Sequence, residues 1–232
     1  QGRFITQREF PKMATLQLSV NENHLNVTAG DESLDIPFDT ETVGNEIGVE
    51  VWGSFFTAET GYPQASQWFS DIIGTNCQLV RMNQNSNRAV NPDYAVNKLT
   101  DKVSFADGYP YLLIGEGSLS DLNSKLATPV PMNRFRPNLV VSGVDPFAED
   151  GWKKIRIGST IFHFVKPCAR CVMTTIDQQT GIPEGKEPLK TLATYRTVKK
   201  DGENRILFGQ NLIAENTGNT IRVGDSVEIL GE

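Results

Sequence analysis

Lys166-Pro167-Cys168-Ala169-Arg170-Cys171 is the segment of this 232-residue chain whose residue types and spacing could do chemistry. Cysteine reacts and binds metal as the thiolate, and the cationic side chains of Lys166 and Arg170 favour that form. The pair is therefore a candidate nucleophile or soft-metal ligand. A thioredoxin-like redox pair requires Cys-x-x-Cys to open a helix after a strand. Here the run Val172-Met173-Thr174-Thr175-Ile176 predicts a strand or extended segment instead. A structural zinc site requires four Cys or His ligands in two paired knuckles. Cys77 has no cysteine or histidine near it, and His163, in the alternation Ile161, His163, Val165, reads as a satisfied strand residue. A single thiolate acting as a metal or cofactor ligand in a loop between strands fits the pattern best. The inert alternative, two ordinary buried cysteines, stands beside it.

The elements that must position these residues are mostly strands. Phe4–Thr6, Thr15–Val20, His24–Val27 and Ile47–Trp52 alternate between polar turns such as Asn21-Glu22-Asn23 and Ala29-Gly30-Asp31. Ala65–Ile73 predicts a short helix, with Trp68, Phe69, Ile72 and Ile73 at helical spacing. Trp52 and Trp68 are expected in the core rather than as ligand stackers. The polar stretch Asn83–Asp93 predicts a loop and a boundary between modules 1–83 and 84–232. Arg81 and Arg88 flank and enter it.

The second module opens with Tyr111–Ile114 as a strand and a helix capped by Ser118, with Leu119, Leu122 and Leu126 on one face. Pro188 introduces another short helix carrying Leu189, Leu192 and Tyr195. Ile155–Ser159 before Ile161-Phe162 echoes Ile221–Asp225 before Val227–Ile229, each read as strand, glycine turn, strand. Many short strands and few helices predict a closed β-barrel, which leaves no exposed sheet edge.

A net charge of −6 and a pI near 5.1 argue against nucleic acid or an anionic membrane as the main partner, because phosphate binding draws on a basic excess. Arg196, Lys199 and Lys200 read as solvated turns. No run of about eighteen apolar residues exists to span a membrane, and Gln1-Gly2-Arg3-Phe4 is no secretory signal. Three cysteines suit a reducing compartment. A cytoplasmic location is expected.

Pro167-Cys168-Ala169-Arg170-Cys171 followed by Thr174-Thr175-Ile176-Asp177 and Thr180-Gly181 resembles the signature of MOSC-domain proteins. Further segments resemble, in the same order, the YcbX-type and amidoxime-reducing members of that family. They are Phe105–Tyr111, Phe135–Gly143, Glu187–Leu192, Phe208–Asn211 and Ile221–Asp225. The resemblance implies a mainly β protein with short helices (α+β), in which a MOSC-type β-barrel follows a smaller, here N-terminally incomplete, β-rich MOSC N-terminal domain. It implies a molybdenum cofactor, Mo-molybdopterin, with Cys171 as the metal ligand and Cys168 in a structural or supporting role; pyridoxal phosphate is not expected. Asp107, Gly108 and Tyr109 match the loop lining the pterin, and Arg136 the cation near its polar edge. Arg136 also has a physical case, because a guanidinium fork donates two hydrogen bonds to one planar or phosphate partner. Asn138, Ala169 and Arg170 match adjoining cofactor-facing positions, and the Arg81–Arg88 neighbourhood approaches the pocket. Plain turn and surface roles for Asp107, Gly108 and Arg136 stay open.

The implied reaction is detoxifying reduction of hydroxylamines, amidoximes or N-hydroxylated bases to amines, with Cys171 and, as a possible proton donor, Asp107 as catalytic residues. The alternative is a carrier that holds sulfur or cofactor on Cys171. No ferredoxin-like cluster motif follows Gly231-Glu232. Electrons are therefore expected from a separate donor, a ferredoxin-like domain or a flavin reductase using NAD(P)H.

Overall fold

A computed structural model describes residues 2–39, 44–83, 85–215 and 218–231, so Gln1, Glu232 and, within the predicted 83–93 loop, Gln84 lie outside it. The chain forms two compact units: Gln1–Arg88 with Ile176–Pro183, and Ala89–Thr175 with Glu184–Glu232. The division falls within the predicted loop, but the first unit also takes a segment from late in the chain.

In the first unit β1 (Gly2–Arg3) precedes a meander of β2 (Gln17–Val20), β3 (His24–Ala29) and β4 (Glu32–Pro37). The hairpin β5 (Glu46–Val51) and β6 (Ser54–Glu59) follows, and β1 pairs parallel with β5. The strand predicted at Phe4–Thr6 is therefore displaced to Gly2–Arg3, and Pro11–Thr15 is a 3-10 turn. Helix α1 (Pro63–Ile73) starts with proline in its first turn and ends on Gly74, whose left-handed backbone lets its N–H donate to the Ser70 carbonyl at 2.9 Å. Trp68 and Phe69 pack from it onto Val27, Ile36 and Tyr62. Trp52 departs from expectation. It lies at the tip of the β5–β6 hairpin and is 48% exposed, not in the core.

In the second unit β7 (Tyr111–Gly115) leads into α2 (Glu116–Ser124) and β8 (Leu139–Val141). Then come β9 (Lys154–Ile157), β10 (Thr160–Ala169), α3 (Leu189–Tyr195), β11 (Thr197–Lys200), β12 (Glu203–Ala214) and β13 (Val227–Gly231). Seven strands form one curled half-barrel in the order β13-β9-β10-β12-β7-β8, with β11 also on β12. One core gathers Leu113, Trp152, Ile155, Phe162 and Leu212, and a second lies under α2 and α3 around Phe135, Leu192 and Phe208.

Three expectations are corrected here. Ser118 lies inside α2 rather than at its cap. The fully buried Glu149 supplies that function from outside the helix, its Oε1 accepting from the Gly115 N–H at 3.1 Å and the Ser118 hydroxyl at 2.7 Å. Of the two strand-glycine-strand echoes only β9–β10 is a hairpin, because the Asp225 carboxylate draws the Arg222 N–H into a turn at 2.8 Å. Arg196 is no solvated turn residue: it is bonded to Asp150 and stacks 4.1 Å from the Phe147 ring centroid.

Candidate functional site

The end of β10 presents the cysteines. Its pairing with β12 shifts register twice, between Phe164 and Lys166 and between Pro167 and Ala169. Pro167 has no N–H to keep the ladder regular. Across from the second shift Gly209 takes φ +81°, and a Cβ there would stand 2.7 Å from Ile114 Cγ1 and 2.9 Å from the Leu113 carbonyl. Such bulges turn a strand and re-aim its side chains. The chain leaves the sheet at Arg170, whose N–H still donates to the Ile206 carbonyl at 2.7 Å.

The segment after Cys171 is not the extended run its β-branched residues predict, but a 3-10 turn over Val172–Thr175. Thr174 and Thr175 account for the difference. Their hydroxyls donate to the carbonyls of Cys171 and Val172 at 3.0 and 2.8 Å, local bonds that a strand does not offer.

Arg170 organises what surrounds the thiols. Its Nη1 donates to Cys168 Sγ at 3.0 Å and its Nη2 to the Phe135 carbonyl at 2.7 Å, and the guanidinium lies 5.4 Å from the Phe135 ring centroid. Its Nε is buried and has no hydrogen-bond partner among the described residues. Cys171 is half-buried, and among the described residues its thiol has no hydrogen-bond partner. The two cysteines are thus unlike: Cys168 is held by a guanidinium, Cys171 is left available.

Phe135 closes a 3-10 turn, Met132–Phe135, and the next residue, Arg136, adopts φ 55° and ψ 48° while its N–H donates to the Asn133 carbonyl at 3.1 Å. A left-handed arginine carries backbone strain and is an observed outlier of the kind that gathers at functional sites. Crowding by protein atoms, and then the Arg170 guanidinium, push the Arg136 guanidinium below its ordinary value; Asp107 opposes this. Two cations and one carboxylate therefore share a field beside the thiols, a surplus that suits an anion.

The remaining predicted residues are less alike. Asp107 and Ala169 are exposed. A Cβ on Gly108 would meet nothing within 4 Å, so packing does not require glycine there. Asn138 is committed to the sheet, its side-chain oxygen accepting from the Leu112 N–H and its own N–H donating to the Leu112 carbonyl, both at 2.9 Å. Tyr109 packs with Val90, Val103 and Ile213 and meets Tyr94 edge-on at 6.0 Å. His163 is satisfied by Glu215 at 2.8 Å. Arg81 and Arg88 belong to the first unit, Arg81 bonded to the Phe38 carbonyl and Arg88 buried.

Sequence reasoning missed Phe135 as the anchor of Arg170 and Tyr94 as the partner of Tyr109; neither spacing nor composition signals them. Lys166 lies 4.8 Å from the Tyr94 ring centroid and 5.8 Å from that of Tyr109, and Lys200 Nζ donates to the Tyr94 hydroxyl at 3.1 Å. That hydrogen bond is the main cause that lowers the Tyr94 phenol, whereas burial pushes Tyr109 up to about 12, as it does Tyr195. A phenol with a raised folded pKa stabilises below its unfolded value of about 10 and loses that contribution as pH rises through the folded value. Absorbance titration at the phenolate band should show Tyr94 ionising first, with Tyr109 and Tyr195 near 12. Stability should fall between about pH 10 and 12; simultaneous ionisation of all three would contradict the assignment.

Residues 100–228, which hold this site, match the MOSC domain model, and residues 1–76 match that of the MOSC N-terminal beta barrel domain. The chain belongs to the MOSC family. Within it, the chain is similar to mitochondrial amidoxime-reducing component 1 of Mus musculus, 34% identical over 242 residues that cover 100% of this chain and 70% of that protein. The Homo sapiens protein of the same description is 32% identical over 239 residues, covering 100% and 71%. Molybdenum cofactor sulfurase of Oryza sativa subsp. japonica is 33% identical over 226 residues, covering 90% of this chain and 27% of the relative. Among the described residues no helix is long and apolar enough to cross a membrane.

Proposed function

We propose that this chain binds a molybdenum cofactor through Cys171 and reduces N-hydroxylated compounds to amines, drawing electrons from a separate redox protein. The observation that carries the reading is the Cys171 thiol, without a hydrogen-bond partner among the described residues and next in sequence to Arg170, whose field Arg136 shares and whose buried Nε has no acceptor among those residues. A soft thiolate and two guanidinium forks fit the donor set that such a cofactor, with its sulfur-ligated metal and anionic groups, requires. The relatives' names, amidoxime-reducing component and molybdenum cofactor sulfurase, support the cofactor class and the first supports the substrate class.

When bound, the cofactor would supply a two-electron redox centre for cleavage of an N–O bond. The protein's part is position and charge. Cys171 would hold the metal; Arg170, fixed by the Phe135 carbonyl and Cys168, would direct its free N–H at an anionic edge, with Arg136 on the same field. Conversion of R–NHOH to R–NH2 and water consumes two electrons and two protons, and the exposed carboxyl of Asp107 is the group proposed to relay protons from solvent. Asn138 and Tyr109 shape the surroundings through the sheet and the Tyr94 contact.

The test is molybdenum content by elemental analysis of protein from a cofactor-producing host. Wild type should carry close to one metal per chain, Cys171→Ala less than about a tenth of that, and Cys168→Ala most of it. Metal-free wild type, or equal metal in the Cys171→Ala protein, sinks the proposal.

A further inference from the structure

The tip of the β5–β6 hairpin in the first unit carries chemistry that the site above does not use. Trp52 and Gly53 form its two-residue turn, with φ 51° and 77°. Asparagine followed by glycine takes that geometry most readily, and a bulky aromatic side chain with positive φ is a genuine outlier. Core burial does not offset the strain, because Trp52 is 48% exposed. The indole instead walls a cleft of about 480 Å3 whose lining includes Arg3, Phe4, Arg8, Glu9 and Glu50. That volume lies in the range of small-molecule sites.

The cleft already displays its chemistry. The Arg8 guanidinium lies 4.8 Å from the Trp52 ring centroid, and Phe4 meets the indole edge-on at 4.8 Å. A planar cation on an indole is the most favourable of the cation–π arrangements, and here the chain provides one from its own sequence. Of the two carboxylates, Glu9 is paired with Arg3. The half-buried side chain of Glu50 has no hydrogen-bond or ion-pair partner among the described residues. An aromatic face beside an uncommitted carboxylate is suited to a delocalised cation whose two N–H groups bond both carboxylate oxygens while its plane stacks.

We propose that this cleft binds a planar organic cation, an amidinium or guanidinium group, stacked on Trp52 in place of Arg8 and held by the Glu50 carboxylate. The site is independent of the reductase reading, since it uses no residue of the Cys171 site. If both hold, the amidinium formed from an amidoxime belongs to the class of ligand the cleft takes, and the first unit would sense the product of the second.

The probe is benzamidine, with the neutral isostere benzamide as control, added to the full chain and followed by calorimetry and by the indole N–H resonance of Trp52. Benzamidine should shift that resonance saturably and benzamide should not. Glu50→Gln should weaken binding about tenfold or more, because the charge-assisted twin hydrogen bond is lost. Arg8→Ala should tighten it severalfold by removing the internal competitor. Trp52→Asn should abolish binding without lowering the thermal midpoint, since asparagine suits the turn, which separates loss of the ring from loss of the fold. A Trp52 resonance unmoved by benzamidine, equal binding of benzamide, or an affinity unchanged in Glu50→Gln, Arg8→Ala or Trp52→Asn overturns the proposal.

Discussion

Gly209→Ala should destabilise the protein by about 3 kcal/mol or more, as a fall in the urea midpoint, and should reduce metal retention at Cys171 with it. Two costs add. A left-handed backbone is unfavourable by roughly 1–2 kcal/mol for a residue with a Cβ, and an extra methyl in a packed interior costs about 1–3 kcal/mol more. Neither is easily relieved, because the new atom would stand 2.7 Å from Ile114 Cγ1 and 2.9 Å from a backbone carbonyl. Ile114 is itself completely buried. The site suffers because Gly209 lies across from the register shift that ends β10. Gly108→Ala is the control: open space surrounds it, so stability should change by no more than about 0.5 kcal/mol. A Gly209→Ala loss below about 1 kcal/mol would show that β7 yields and that the bulge is not sterically enforced.

The second large effect is expected at Glu149. It is 0% exposed, and its Oε1 serves both the Gly115 N–H and the Ser118 hydroxyl, while that hydroxyl accepts from the Phe147 N–H at 2.8 Å. Alanine would strand the Gly115 donor in the interior and leave a void, at a cost of about 3 kcal/mol. Glutamine keeps one acceptor oxygen and most of the volume and should cost roughly half as much. Chemical denaturation of the two variants checks the order. Equal losses would assign the role of Glu149 to its volume rather than to the acceptor it gives α2.

Much of the fold is legible in short-range pattern. Alternation around a glycine finds β9 and β10, and the helical spacing of Trp68, Phe69, Ile72 and Ile73 finds α1, whose ends are marked by Pro63 and Gly74. The misses come from interactions between residues distant in sequence or from side chains bonding the backbone. The hydroxyls of Thr174 and Thr175 turn a β-branched run into a 3-10 turn, and Glu149 displaces the cap expected at Ser118. Trp52 reads as core because aromatic residues usually are, yet the following Gly53 marks a hairpin tip.

The site divides in the same way. Cys168, Arg170 and Cys171 lie within four residues, and their chemistry follows from type and spacing. That Arg170 reaches the Phe135 carbonyl and shares a field with Arg136 is a product of the sheet; the family resemblance implies only that Arg136 and Arg170 face one cofactor, and nothing in the sequence signals Phe135. Asn138, matched to a cofactor-facing position by that resemblance, proves also to hold β7, a duty its sequence neighbourhood does not disclose.

The excursion of Ile176–Pro183 into the first unit has a consequence for how this chain can be divided or recombined. It is seated there through Gly181, where a Cβ would stand 3.1 Å from Lys12 Cα and from the Pro11 carbonyl oxygen. No single crossover point in the gene therefore separates two complete modules: a cut near residue 88 leaves the front half without one of its segments. The back half is more forgiving. Thr175 and Glu184 already abut, the Glu184 N–H donating to the Thr175 carbonyl at 2.8 Å, so a glycine or two could close the gap. Shuffling with relatives should thus succeed for the rear module alone, whereas the front one must inherit its missing piece from the same parent.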